Sequence, residues 1–77
     1  MSRDSEFDLI VDKALKLLDQ IDKRLITKDQ AREKLREIAL ETEKWMMKKP
    51  LEGSHLSRSI YITQIMKLID KKISLMS

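Results

Sequence analysis

The sequence predicts an all-α protein, a bundle of three amphipathic helices, and two observations support this fold class. Apolar residues recur at alternating spacings of four and three, the pattern of a helix that buries one face against other helices. The chain also has one glycine, one proline and 4% aromatic residues, whereas sheets and their turns need more of each. We expect helices over about residues 6–25, 28–48 and 56–75.

The first helix is marked by Ser5, a residue type that caps helix N-termini, with Asp8 three positions later. Its main apolar row is Phe7, Val11, Ala14, Leu18, Ile21 and Leu25. Ile10, Leu15 and Leu17 widen this row beyond what a two-stranded coiled coil requires. The first helix therefore needs more than one neighbour.

The second helix begins after a break at residues 25–27. Thr27 and Gln30 have the spacing of a capping box. The apolar row that follows is Ala31, Leu35, Ile38, Thr42 and Trp45. Pro50 ends the helix, since the residue before a proline is pushed out of helical geometry. The short connection to the first helix predicts an antiparallel hairpin.

The main loop is expected over residues 49–56, before the third helix. Ser54 and Ser57 are both suitable caps for that helix, and the sequence does not choose between them. Residues 1–77 are expected to form a single helical domain, with residues 1–4 disordered. A chain this short builds only a marginal core alone, so a helical homodimer is the favoured arrangement.

Composition excludes several classes of protein. The chain has no cysteine and one histidine, so we expect no disulfide, no zinc site, no other metal and no cofactor. No apolar run approaches the roughly 20 residues of a membrane span. The polar start of the chain lacks the apolar core of a signal peptide, so a cytoplasmic protein without membrane contact is expected.

Catalysis is not supported by any constellation of residues. His55 is the single candidate for proton transfer at neutral pH, and we expect it to be a solvent-exposed loop histidine. Asp8 with Asp12, and Asp19 with Asp22, have helical spacing but no histidine or calcium-loop pattern beside them. The sequence therefore predicts no catalytic residues and no small-molecule substrate.

Pairs of basic residues stand near the ends of all three helices: Lys23-Arg24, Lys48-Lys49 and Lys71-Lys72. Cations at these positions complement the negative end of the helix dipole, which is the favoured interpretation. In an up-down-up bundle the first and third pairs would lie at the same end. They could then form one anion-binding patch, which is the alternative.

The segment 53–61 resembles, over nine residues, the turn and recognition-helix start of a helix-turn-helix module. A small nucleic-acid-binding regulator is therefore the alternative function. The residues for anion or nucleic-acid contacts are Lys23, Arg24, Arg58, Lys67, Lys71 and Lys72. The balance of charges does not favour nucleic-acid binding, because the chain carries 16 basic and 13 acidic residues and carboxylates near phosphates oppose binding.

Apolar residues beyond the needs of one core favour a different function. Residues 45–47 are Trp-Met-Met, three large apolar side chains that cannot all face one core. Trp, Tyr and Met are enriched at protein interfaces. The sequence thus predicts a non-catalytic protein-interaction module, an adaptor, inhibitor or regulatory subunit that binds another protein or itself. Its contact residues would be Met47, Ile60 and Tyr61, with Trp45 as an anchor. The alternative, favoured for Trp45, is that Trp45 and the methionines fill the open end of the core beneath the loop.

Overall fold

Three helices pack side by side in the computed structural model, which describes residues 4–77. They span Ser5–Asp22 (α1), Lys28–Met46 (α2) and Gly53–Ser74 (α3). Each helix contacts both others, and the extents of 41 × 18 × 16 Å describe an elongated bundle. The prediction of an all-α three-helix bundle is confirmed. Of the four residues predicted to be disordered, 1–3 lie outside the described part, and Asp4 caps α1.

The core runs along the length of the bundle between the three helices. Its buried hydrophobic residues are Ile10, Ala14, Leu17, Ile21, Ala31, Ile38, Trp45, Ile62, Ile69 and Ile73. In α1 the buried row is therefore the one that contains Ile10 and Leu17. Phe7, Val11 and Leu18, which were predicted to lead the row, are partly buried beside it. Both rows alternate spacings of four and three, so periodicity alone does not tell which row is central.

The N-cap of α1 is Asp4 rather than Ser5, which corrects the sequence prediction. Asp4 Oδ1 accepts a hydrogen bond from the Phe7 backbone N–H at 3.0 Å. Its other oxygen, Oδ2, accepts one from Trp45 Nε1 at 2.8 Å. Ser5 and Asp4 are equally good caps by residue type. The contact with a residue 41 positions away favours Asp4.

Helix α1 ends at Asp22, three residues before the predicted end at Leu25. Arg24 has a positive φ of 57°, and its N–H donates to the Ile21 carbonyl at 3.1 Å. The Leu25 N–H donates to the Gln20 carbonyl at 2.9 Å. These two bonds define a Schellman motif, which usually has glycine at the left-handed position. Because arginine occupies it here, no glycine marked this end in the sequence.

The predicted capping box of α2 is confirmed. The Thr27 hydroxyl accepts from the Gln30 N–H at 3.1 Å, and the Gln30 side chain accepts from the Thr27 N–H at 3.0 Å. The other end differs, since α2 stops at Met46 rather than residue 48. The connection to α3 covers residues 47–52 instead of 49–56.

Helix α3 begins three residues earlier than predicted, at Gly53, and ends at Ser74. Neither Ser54 nor Ser57 caps it. Glu52 occupies the N-cap position without a side-chain capping bond. Gly53 has a φ of +57°, a conformation that glycine adopts without strain and that turns the chain into the helix. This early start places His55 inside α3.

Ion pairs between helices show that the bundle runs up, down and up. Lys48 Nζ lies 2.5 Å from Glu6 Oε1 and joins the C-terminal end of α2 to the start of α1, so these two helices are antiparallel. Lys72 Nζ lies 2.6 Å from Asp22 Oδ1 and joins the C-terminal ends of α1 and α3. Within residues 4–77, no helix has the combination of length and apolar character needed to cross a membrane.

Candidate functional site

Aromatic rings close the end of the bundle where α1 begins. The centroid of the Trp45 ring lies 5.3 Å from that of Phe7 and 4.4 Å from that of His55. Phe7 also contacts Tyr61, with 6.3 Å between centroids. The Arg58 guanidinium lies over Phe7 at 5.7 Å from the ring centroid, a distance at which cation–π attraction operates. All three helices thus meet through this one cluster.

Trp45, predicted as an anchor for a partner, lies beneath the surface. Its side chain is 2% exposed, and its single N–H donates to Asp4. Both the ring and the polar atom are therefore used inside the chain. Trp45 supports the surface above it but offers a partner no contact area.

The prediction of His55 as an exposed loop histidine is wrong. The residue is 7% exposed, because it lies in the first turn of α3 and faces α2. Its Nε2 lies 2.9 Å from the Met46 carbonyl oxygen. A carbonyl can only accept, so Nε2 carries the proton and donates. His55 thereby satisfies one of the carbonyls left without an intrahelical partner at the end of α2.

The pKa of the Asp4 carboxyl departs from its ordinary value. Burial acts to raise the pKa of this carboxyl and is the largest single influence. The hydrogen bonds from Phe7 N and Trp45 Nε1, with the charges of Arg58 and Lys49, act in the opposite direction and prevail. The pKa of Asp4 is therefore lowered. The folded structure therefore favours the ionised carboxylate of Asp4, which has a structural role as the cap of α1.

A groove of about 430 Å³ lies between α2 and α3, near the loop that connects them. We call it the methionine groove, and its lining residues are Ala39, Thr42, Glu43, Met46, Met47, Lys49, Leu51 and Met66. Met47 is 79% exposed and Leu51 is half exposed. Met46 and Met66 pack partly against the core. Three methionines and a leucine thus form an adaptable apolar floor and rim.

The structure separates the three remaining residues that were predicted to bind a partner. Met47 lines the methionine groove, whereas Tyr61 contacts Phe7 on the α1 side of α3. Ile60 is half exposed and lies about 100° around α3 from Tyr61. The three residues do not form one patch, although each has an exposed apolar side chain.

A second apolar surface, not anticipated as a unit from the sequence, runs along the groove between α1 and α3. We call it the α1–α3 face, and its residues are Val11, Leu15, Leu18, Tyr61, Ile65 and Leu68. Leu15 and Leu68 are each 46% exposed, and Tyr61 is 50% exposed. Val11, Leu18 and Ile65 are partly buried at its base. The extra width of the apolar stripe of α1 indicated this surface in the sequence, since that stripe is wider than one neighbouring helix covers.

Several of the predicted anion-binding cations are engaged within the chain. Lys72 pairs with Asp22 across the helices, and Lys23, the C-cap of α1, pairs with Asp19 at 3.2 Å. Arg58 lies over the Phe7 ring. The first and third basic pairs do lie at the same end, as the Lys72–Asp22 contact shows, yet Asp22 stands between them. The remaining predicted contacts, Arg24, Lys67 and Lys71, are exposed.

The segment 53–61 lies wholly inside α3. His55 and Ser59 turn inward and are buried, and the Ser59 hydroxyl donates to the His55 carbonyl at 2.8 Å. In a helix-turn-helix module the two helices cross at about 90–120°. Here α2 and α3 instead both run along the long dimension of a bundle that is 41 Å long and 18 Å wide.

No protein-family model, curated protein or solved structure matches this chain. Among residues 4–77, no group of three or more His, Cys, Asp or Glu side chains is placed to hold a metal ion.

Proposed function

We propose that this chain is a non-catalytic protein-interaction module, an adaptor, inhibitor or regulatory subunit, that also associates with itself as a homodimer. The observation that supports it most strongly is the amount of apolar surface outside the core. Within residues 4–77, eleven large hydrophobic side chains are at least 40% exposed. A single exposed leucine is ordinary, but grouped apolar residues mark binding surfaces.

The methionine groove is the proposed site for a different protein. Helices bind such grooves by inserting apolar side chains at helical spacing. Unbranched methionine side chains repack around partners of different shape. Glu43 and Lys49 stand at the edge of the groove with opposite charges. They would orient an amphipathic helix that carries a cation near Glu43 and a carboxylate near Lys49.

Nucleic-acid binding has weaker support. Affinity for phosphates requires cations that are not already neutralised by carboxylates. Lys23 and Lys72 each contact an aspartate, and the net charge of the whole chain is +3. The segment that resembled a recognition helix turns two of its side chains into the core.

A photo-crosslinking amino acid at position 47 tests the proposed function. We expect a discrete crosslinked product with a second protein in extracts of the source cells. Excess wild-type protein should compete it away, and excess Met47→Asp protein should not. Leu9 is the matched control, because it is an exposed apolar helical residue remote from the groove. Equal crosslinking at positions 9 and 47, or equal competition by both proteins, would contradict the proposal.

A further inference from the structure

Helices α1 and α3 run side by side in the same direction, which fixes their register. Phe7 lies beside Tyr61 at one end, and Asp22 contacts Lys72, 50 positions later, at the other. A residue of α1 therefore lies level with an α3 residue about 50–54 positions later. By this register Leu15 is level with Leu68, and Asp19 is level with Lys71.

The two borders of the α1–α3 face carry opposite charges. On the outer side of α1, Asp12 and Asp19 lie on the same stripe as Leu15, at spacings of three and four. On the outer side of α3, Lys71 lies three residues after Leu68 and therefore on the same stripe, whereas Lys67 lies about 100° around the helix from Leu68 and outside the face. Asp12, Asp19 and Lys71 are all exposed. An apolar strip thus lies between an acidic edge and a basic edge.

We infer that the α1–α3 face binds a second copy of this chain, related by a two-fold axis parallel to the helices. This inference rests on the proposed function, since it assigns one apolar surface of the interaction module to self-association. Rotation about this axis places α1 of one copy opposite α3 of the other and keeps each residue at the same level along the helices. The acidic edge of one copy then meets the basic edge of the other at the same level.

The register gives specific pairs across this dimer. Asp19 of one copy lies opposite Lys71 of the other. Leu15 and Leu68 meet across the centre. The alternative two-fold axis, perpendicular to the helices, would instead place α1 against α1, and so the edge that carries Asp12 and Asp19 against the same edge of the other copy. Such like-charge contacts oppose association, so charge selects the parallel arrangement.

The contact of Asp19 with Lys23 does not compete strongly with this pairing. Both side chains are more than half exposed in that pair, and exposed ion pairs contribute little to stability. In the dimer the same carboxylate would gain a lysine from the second copy while the leucines beneath it are covered.

Charge reversal tests the arrangement by sedimentation equilibrium of the purified full chain. In the parallel dimer Asp19→Lys faces Lys71, and because symmetry repeats the contact we expect about a tenfold weaker dimer. Lys71→Glu alone should weaken it similarly. The double variant, Asp19→Lys with Lys71→Glu, restores opposite charges and should recover the wild-type dissociation constant. Circular dichroism checks that each variant keeps its helix content.

A second comparison tests the apolar part of the face. Leu68→Ser should weaken the dimer at least tenfold, whereas Leu40→Ser should change it less than twofold. Leu40 is a similarly exposed leucine on α2, away from the face. A stronger dimer for Asp19→Lys, or no recovery in the double variant, would overturn the parallel arrangement.

The two proposals fail in distinguishable ways. If the wild type remains a monomer at several hundred micromolar while position 47 still crosslinks specifically, the dimer is wrong and the interaction module stands. If the dimer behaves as described while position 47 gives no specific product, the methionine groove is wrong and the α1–α3 face stands.

Discussion

Asp4 joins two parts of the chain through one carboxylate. Oδ1 caps α1 at the Phe7 N–H, and Oδ2 accepts the Trp45 N–H from the far end of α2. The cap is a local feature, but the second bond fixes how α1 approaches α2. Ser5 next to it has an equally suitable side chain and no comparable contact.

We predict that Asp4→Ala lowers the free energy of unfolding by about 2–3 kcal/mol. Loss of an N-cap costs about 1 kcal/mol, and a buried Trp N–H left without an acceptor adds a similar or larger amount. Urea unfolding followed by circular dichroism measures the change. Ser5→Ala is the matched control and should stay within about 0.5 kcal/mol of wild type. Equal losses in both variants would show that Ser5 shares the capping role.

The lowered pKa of Asp4 predicts a response to acid. The ionised form stabilises the fold, so its contribution is complete above the ordinary value of 3.8 and is lost as pH falls through the lower, folded-state pKa. Asp4→Asn keeps a capping oxygen but has no charge to lose. The stability advantage of the wild type over Asp4→Asn should be constant from pH 7 to about pH 5 and shrink below about pH 4. An advantage that is unchanged or larger in acid would contradict this assignment.

At the scale of a helix, the end of α1 carries a built-in strain. Arg24 adopts a φ of 57° at the left-handed position of the Schellman motif. A residue with a Cβ pays about 1 kcal/mol for that conformation, and glycine does not.

Arg24→Gly should therefore stabilise the chain by about 0.5–1 kcal/mol. Arg24→Ala removes the same charge but keeps the Cβ, so it separates backbone strain from electrostatics. Thermal unfolding of the two variants at matched concentration provides the comparison. If alanine stabilises as much as glycine, the effect comes from the charge and the strain argument fails.

Helix identity was predictable from the sequence, but several helix ends were not. The capping box at Thr27 and Gln30 uses neighbouring residues, so the pattern located it correctly. Helix α3 begins three residues before the predicted start because its first turn is held by His55, which bonds to the Met46 carbonyl and lies against Trp45. Those contacts form only when the chain folds, so the pattern of neighbouring residues does not predict them.

At the scale of the whole molecule, the sequence predicted that exposed apolar residues form binding surfaces, but it predicted the positions of these surfaces only partly. Exposure of Met47 followed from the three large apolar residues in a row at 45–47, and Ile60 was predicted as a contact residue and is exposed. The burial of Trp45 and the separation of Tyr61 from Met47 depend on how three helices are arranged around one axis. The α1–α3 face required the register of two helices that are distant in sequence, which the Phe7–Tyr61 and Asp22–Lys72 contacts provide.

The small size of the chain links stability to association. A domain of this length buries only about 60–65% of the surface of its unfolded chain. Covering Leu15, Tyr61 and Leu68 with a second copy would add apolar burial that a single copy lacks. Stability should therefore rise with protein concentration, as it does for any fold that a dimer stabilises.

Sedimentation equilibrium of the wild type, from about 5 to 500 µM, tests most directly whether the α1–α3 face binds a second copy, because micromolar dissociation constants fall within this range. The average mass should rise from the 9.1 kDa of one chain toward twice that value. In Leu68→Ser the rise should require at least tenfold higher concentrations, whereas in Leu40→Ser it should shift less than twofold. A mass of 9.1 kDa at every concentration would contradict self-association through this face.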